Sequence, residues 1–177
     1  MKVTLWMGMS LNGIIARENN EEDFISHDCW LAWLEAIREY GCILWGRKTH
    51  EIVKTWPKQY FDDLKGIKVM VVSSNQKYLV KDGFELASSP IQALEKLTKE
   101  GFKKVILTGG SGLNSSLAKS NLINEVILNI EPVIVGKGIP VFSPDVFDLR
   151  LEFIEMKQSK GKTIQLRYKV IKSDKVY

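Results

Sequence analysis

Val105-Ile106-Leu107-Thr108-Gly109-Gly110-Ser111-Gly112-Leu113 is the stretch that decides the fold. Four β-prone residues run straight into a turn of bare backbone, and an apolar segment, residues 113–119, then reads as a short helix. The same grammar occurs upstream. Cys42-Ile43-Leu44-Trp45 closes in Gly46-Arg47-Lys48-Thr49 at the start of another helix, and Val69-Met70-Val71-Val72 ends in Ser73-Ser74-Asn75. Short apolar runs without alternation are strands covered on both faces, which is the signature of a parallel sheet.

Working outward, Val3-Thr4-Leu5-Trp6-Met7 reads as a further buried strand, followed by a polar loop through Asn19, Asn20, Glu21 and Glu22. Asp28 is placed to cap a helix that carries Trp30, Trp33, Leu34 and Ile37 on one face and ends at Gly41. Ser89-Pro90-Ile91-Gln92 has a capping-box pattern with Pro at the first helical position, and predicts a helix whose apolar side is Ile91, Leu94 and Leu97, stopped by Gly101. Residues 126–135 form a long β-rich stretch broken by Pro132. Residues 151–156 and 163–171 predict a hairpin around Lys160-Gly161. The expected class is α/β: one domain over residues 1–177, with a mostly parallel central sheet, helices on both faces and an antiparallel C-terminal hairpin.

Composition narrows the function. With 177 residues, 45% hydrophobic and 26% charged, the chain is neither disordered nor a disulfide scaffold. Lys+Arg 25 against Asp+Glu 21 gives a net charge of only +4, and the basic residues are dispersed, the richest group (Lys157, Lys160, Lys162, Arg167, Lys169, Lys172, Lys175) fitting a solvated strand face. No nucleic-acid partner is expected, nor a membrane, because Asn12-Gly13 interrupts the apolar start before spanning length. Cys29 and Cys42, with only His27 and His50 to help them, have no zinc spacing and read as buried thiols of a cytoplasmic protein. His27 reads as a loop residue, and His50 as a packing or surface residue. No metal is expected.

The chemistry is expected at the strand tips. Ligands of parallel sheets settle outside the carboxyl ends of the strands, and three such ends here finish in groups that suit an anion. Gly46, Arg47, Lys48 and Thr49 offer close backbone approach, two cations and a hydroxyl. Ser73, Ser74 and Asn75 offer hydroxyl and amide donors, and Gly109, Gly110, Ser111, Gly112 and Leu113 offer a backbone turn for a pyrophosphate. The Rossmann G-x-G-x-x-G fails at Ser115, and no Gly-Lys-Ser/Thr closes a P-loop. Arg47 and Lys48 with the serines favour NADP over NAD.

Gly46-Arg47-Lys48-Thr49 after its apolar strand resembles the phosphate-binding motif of the dihydrofolate reductase superfamily. Ser10-Leu11-Asn12-Gly13-Ile14-Ile15-Ala16 is similar to the S-L-D-G-x-I-A segment of the reductase domain of bacterial riboflavin-biosynthesis proteins. T-G-G-S-G-L, L-I-N-E-V-I-L-N-I-E-P-V and G-K-G-I-P-V-F, within residues 105–142, are closer still to that branch. The resemblance runs nearly end to end and implies an NADPH-dependent reductase of a small heterocycle, pyrimidine- or pteridine-like, similar to 5-amino-6-(5-phosphoribosylamino)uracil reductase. It implies Ile15 and Ala16 near the nicotinamide, Gly46 to Thr49 near the phosphates, Ser73 to Asn75 at the adenosine end and Gly109 to Leu113 at the pyrophosphate.

Two departures accompany it. Trp30 stands where true dihydrofolate reductases have their acid, and Asn12 replaces the Asp common in the riboflavin branch; the zinc deaminase domain often fused to that branch is absent. Proton delivery then falls to Asp28, beside Trp30 and Trp33, or to solvent positioned by Asn12. The alternative is a non-catalytic NADPH-binding module of the same fold. By the same analogy the terminal hairpin is a candidate homodimer interface.

Overall fold

The computed structural model describes residues 1–158 and 162–171. Its centre is an eight-stranded sheet in the order β5-β4-β3-β6-β1-β7-β10-β9. The strands are β1 (Lys2–Ser10), β3 (Cys42–Gly46), β4 (Lys68–Val72), β5 (Phe84–Ala87), β6 (Lys104–Leu107), β7 (Glu125–Glu131), β9 (Arg150–Gln158) and β10 (Ile164–Ile171). β5 through β7 run parallel, and β10 joins β7 antiparallel with β9 beyond it. The α/β class and the antiparallel edge hairpin are as expected; the Lys160-Gly161 turn lies outside the described residues.

Period-two alternation explains the two-sided core. Val3, Leu5, Met7, Cys42, Leu44, Met70, Val105 and Leu107 point to one face, where helices α4 (Pro90–Lys99) and α5 (Ser111–Lys119) add Ala93, Leu97, Leu117 and Ala118. Trp6, Ile43, Trp45, Val69, Val71 and Ile106 point to the other, against Trp33, Leu34 and Ile37 of α1 (His27–Tyr40) and Val53 of α2 (Arg47–Val53). Both faces of these strands are buried, so apolar residues occupy both parities.

Several local expectations are corrected. Ser26, not Asp28, caps α1: its hydroxyl accepts from the Cys29 amide at 3.2 Å, and Asp28 sits inside the first turn. Ser89 does cap α4, but Gln92 reaches back to the Ser88 amide, and Ile91 is 57% exposed because Ala93 and Leu97 form the buried stripe. α5 begins at Ser111, two residues before the expected start, so the glycine turn is itself the entry to the helix. The long stretch from residue 126 ends as a strand at Glu131, before Pro132, which has no amide to donate to a ladder. Short elements pass unread: α3 (Lys58–Asp62), β5, and the two-stranded sheet of β2 (Ile14–Ala16) with β8 (Ile139–Pro140).

Candidate functional site

The tips of β3 and β6 meet backbone to backbone. The Gly46 amide donates to the Gly109 carbonyl at 2.9 Å, and the Thr108 amide to Leu44 at 3.2 Å. Gly109 takes φ +90°, a conformation that favours glycine, and its peptide bond to Gly110 is cis. A Cβ on Gly46 would lie 3.4 Å from the Gly110 nitrogen and 3.4 Å from Leu113 Cβ, and one on Gly110 would lie 3.0 Å from Thr49 Oγ1. Gly46, Thr49, Gly109, Gly110 and Leu113 therefore meet closely in one cradle, with little room for a side chain at Gly46 or Gly110. α5 enters it through Gly110 with no side-chain cap, so its first amides, Ser111 and Gly112, have no intrahelical acceptor. Such a surface of free N–H groups fits a pyrophosphate.

The body of α5 is tied down behind the cradle. Ser115 Oγ donates to the Ser143 carbonyl at 2.7 Å, Ser143 Oγ to Ser111 Oγ at 2.9 Å, and the Asn114 amide to the Val141 carbonyl at 2.7 Å. After β4, buried Ser73 shapes its own loop, accepting the Asn75 amide at 3.1 Å, while Ser74 and Asn75 are exposed. Arg47 pairs with Glu51 at 2.5 Å and lies 6.0 Å from the Tyr78 ring centroid, facing that same loop. Lys48 is exposed on α2. His50 is fully buried: Nε2 accepts the Lys81 amide at 3.3 Å, so Nδ1 carries the proton and donates to Tyr78 Oη at 2.7 Å. Burial lowers its pKa, and its role is to hold the loop beside Arg47.

Ile15 and Ala16 are buried on β2, held by β8 and crossed closely by Gly138. Asn12 is fully engaged: its side-chain NH2 donates to the Val135 carbonyl at 2.8 Å, and its Oδ1 accepts from the Val135 amide at 3.1 Å and from Ser10 Oγ at 2.8 Å. It clamps the loop before β2 to residues 132–136.

Two cavities border residues 19–28, the segment that leads into α1. The larger, about 920 Å³, lies between α2 and the loop after β2; Ile52, Thr55, Trp56 and Lys48 form one wall and residues 19–23 the other. Trp56 is fixed edge-on to Trp30 at 5.7 Å and to Trp45 at 6.4 Å, giving the cleft a rigid aromatic side. The smaller, about 400 Å³, is lined by Phe24, Ser26, Asp28, Thr163 and Glu131, and shares no lining residue with the first. Asp28 thus faces the second cavity. Glu131, 3% exposed, accepts the Ser26 amide at 3.0 Å, the Ser26 hydroxyl at 2.7 Å and the Thr163 hydroxyl at 3.0 Å, anchoring the start of α1 to the sheet. Burial, with the charges of Glu131 and Glu22, pushes the Cys29 thiol up to about 12; burial and Glu100 do the same to Cys42. Neither cysteine is an activated nucleophile.

Glu131, Trp56, Ile52 and the Ser115 and Ser143 hydroxyls escape a reading of sequence alone. Glu131 ends a strand that also carries Glu125 and Asn129, so no local pattern sets it apart, and the others have no signal beyond their proximity to the glycine tips.

The fold and the glycine cradle define a dihydrofolate reductase-like α/β protein. Residues 1–165 match the family model of the RibD C-terminal domain, and the chain belongs to that family. YyaP of Bacillus subtilis is 23% identical over 94% of each chain, and YwjB of the same organism is 26% identical over 94% of this chain and 97% of its own. Among solved structures, a pyrimidine reductase-like protein from Corynebacterium diphtheriae superposes with TM-score 0.78 at 17% identity, covering 97% of this chain and 92% of its own. A diaminohydroxyphosphoribosylaminopyrimidine deaminase/5-amino-6-(5-phosphoribosylamino)uracil reductase from Thermotoga maritima superposes with TM-score 0.73 at 17% identity, covering 96% of this chain and 56% of its own. Among the described residues no helix is long and apolar enough to cross a membrane.

Proposed function

We propose that the protein is an NADPH-dependent reductase of a small heterocycle, pyrimidine- or pteridine-like. The observation that carries the reading is the close meeting of Gly46, Gly109 and Gly110 beside the uncapped start of α5. Gly109, Gly110, Ser111, Gly112 and Leu113 would hold the pyrophosphate; Arg47, Lys48 and Thr49 the neighbouring phosphate charge; Ser73, Ser74 and Asn75 the adenosine end; Ile15 and Ala16 the nicotinamide. NADPH supplies the hydride, and the chain supplies position and a dry wall. The 920 Å³ cleft fits the substrate, because its walls grow out of β2 and α2 and a fixed indole suits a flat ring.

NADPH added to the protein is expected to show altered fluorescence and to be oxidised when pyrimidine or pteridine substrates are offered. Binding without oxidation would instead support the non-catalytic module. The commitment of Asn12 to Val135, and of Asp28 to the smaller cavity, are the observations on that side. Arg47→Ala is expected to weaken NADPH about 10- to 100-fold, the worth of a charge-assisted phosphate contact, and NADH by less than about 3-fold on the same reasoning. Equal losses in paired titrations would remove Arg47 from phosphate selection.

We also propose that a second copy covers the terminal hairpin. A bulge between Arg167 and Tyr168 keeps Leu151, Phe153 and Met156 on the face of Ile164 and Leu166. Phe153 is 59% and Met156 64% exposed. The opposite face is internally neutralised, Glu125 pairing with Lys2 and Arg167, and Glu155 with Arg167 and Lys157. An uncharged, exposed apolar face is complementary to its own copy about a twofold axis. Light scattering is expected to give a dimer mass, and Phe153→Glu with Met156→Glu a monomer; a monomeric native chain at tens of micromolar contradicts the pairing.

A further inference from the structure

We infer that the ring reduced in the 920 Å³ cleft carries no phosphate, a narrowing of substrate class that rests on the reductase reading above. Two observations meet there. The first is the wall of Ile52, Thr55 and Trp56. Trp56 is braced by three rings, its own lying 5.7 Å from Trp30, 5.7 Å from Tyr60 and 6.4 Å from Trp45. An indole held in this way gives a flat heterocycle a stacking surface, and stacking is indifferent to whether a phosphate hangs from the ring.

The second is where the cations around the cleft are committed. Arg17, just before the loop of residues 19–23, donates from Nε and Nη2 to the two oxygens of Asp23 at 2.5 and 2.9 Å, so its fork is filled. Arg47 pairs with Glu51 at 2.5 Å and is proposed above for the coenzyme. Lys54, farther along, reaches the Leu79 carbonyl at 3.4 Å and the Tyr78 ring. Lys58 pairs with Asp62 at 2.8 Å, and Lys137 with Glu18 at 2.9 Å. Among the described residues that line the cleft Lys48 is the only cation, and it shares that lining with Glu21, Glu22, Asp23 and Glu51.

With the coenzyme seated as proposed, its own phosphates draw on Arg47 and Lys48. A phosphate dianion on the substrate would then enter a cleft of four carboxylates with no cation left to answer it. Drawing Arg17 across would leave Asp23 unpaired at the rim, which exchanges one ion pair for another and gains nothing. Like charges brought together in this way are costly. A hydroxyl in the same place is not, and the carboxylates can accept its hydrogen bond. The cleft thus selects by repulsion as well as by contact.

The test compares two compounds that differ only in the phosphate, 5-amino-6-(5-phosphoribosylamino)uracil and 5-amino-6-(ribosylamino)uracil, by NADPH absorbance in the steady state. The unphosphorylated compound is expected to have a kcat/KM at least about 100-fold higher, the scale of a like-charge mismatch at a binding surface. The ratio is expected to narrow as salt is raised, because the rim is exposed. Glu21→Lys combined with Glu22→Lys, both at exposed positions, is expected to favour the phosphorylated compound by at least about 10-fold relative to the native ratio. Equal or better use of the phosphorylated compound by the native protein overturns the inference, and so does a double variant that leaves the ratio unmoved. Tryptophan fluorescence titrated with each compound reads the same preference without hydride transfer. Preferential binding of the unphosphorylated compound with no NADPH oxidation contradicts the reductase reading and leaves the charge selection standing. Equal binding of the two compounds, or binding of neither, overturns the inference even where NADPH is oxidised with another ring.

Discussion

Gly110→Val is expected to yield a folded protein that has lost NADPH binding by at least about 100-fold. A Cβ at this position already stands 3.0 Å from Thr49 Oγ1, and the two branches of valine must then occupy either that hydroxyl or the open side of the turn. The neighbouring Gly46 amide is bound to the Gly109 carbonyl at 2.9 Å, which ties the turn to β3 and limits how far it can retreat. The open side is where the phosphates would lie against the α5 amides, so the methyls displace the ligand. The fold itself loses little, about 1–2 kcal/mol, because Thr49 can rotate away from a mild overpacking contact. Fluorescence titration with NADPH beside a thermal melt separates the two effects. A folded Gly110→Val protein with native affinity would remove the cradle from the account.

Gly138→Ala carries the largest expected cost to stability, about 3 kcal/mol, the upper range for forcing an atom into a packed site. Its Cβ would lie 2.5 Å from the Ala16 carbonyl oxygen and 2.6 Å from Ile14 Cγ2. The first is backbone of β2, which is held by β8 and cannot swing aside as a flexible side chain would. Gly136→Ala, two residues away with nothing within 4 Å of its Cβ, is the control and should change stability by less than about 0.5 kcal/mol. Urea unfolding of the two variants gives the comparison directly. Since β2 carries Ile15 and Ala16, whatever Gly138→Ala prises apart is also expected to weaken NADPH; equal stability of both alanine variants would mean the strands can part freely.

The parts of the fold that a reader of sequence recovers are those buried on both faces. Val105-Ile106-Leu107 and Cys42-Ile43-Leu44-Trp45 can only be covered strands, and the glycines and serines that follow mark the tips where a ligand fits. What escapes is set by tertiary packing. β2 and β8 are two or three residues long and exist because Gly138 lets two backbones touch. Asp28 and Ser26 are both good capping residues; the Glu131 carboxylate, more than a hundred residues away, takes the Ser26 amide and hydroxyl and so fixes where the helix starts. The polar run Asn19-Asn20-Glu21-Glu22 reads as a solvated loop. That the whole run lines a cleft depends on α2 lying opposite, which no local pattern encodes.

A crystal structure of the protein with NADPH shows directly whether the glycine cradle holds the coenzyme. The pyrophosphate is expected against the Ser111 and Gly112 amides, the adenosine phosphate between Arg47 and the Ser73-Ser74-Asn75 loop, and the nicotinamide beside Ile15 and Ala16 at the edge of the cleft lined by Ile52 and Trp56. A dinucleotide seated elsewhere on the protein, with the turn at Gly109 and Gly110 left untouched, would contradict it.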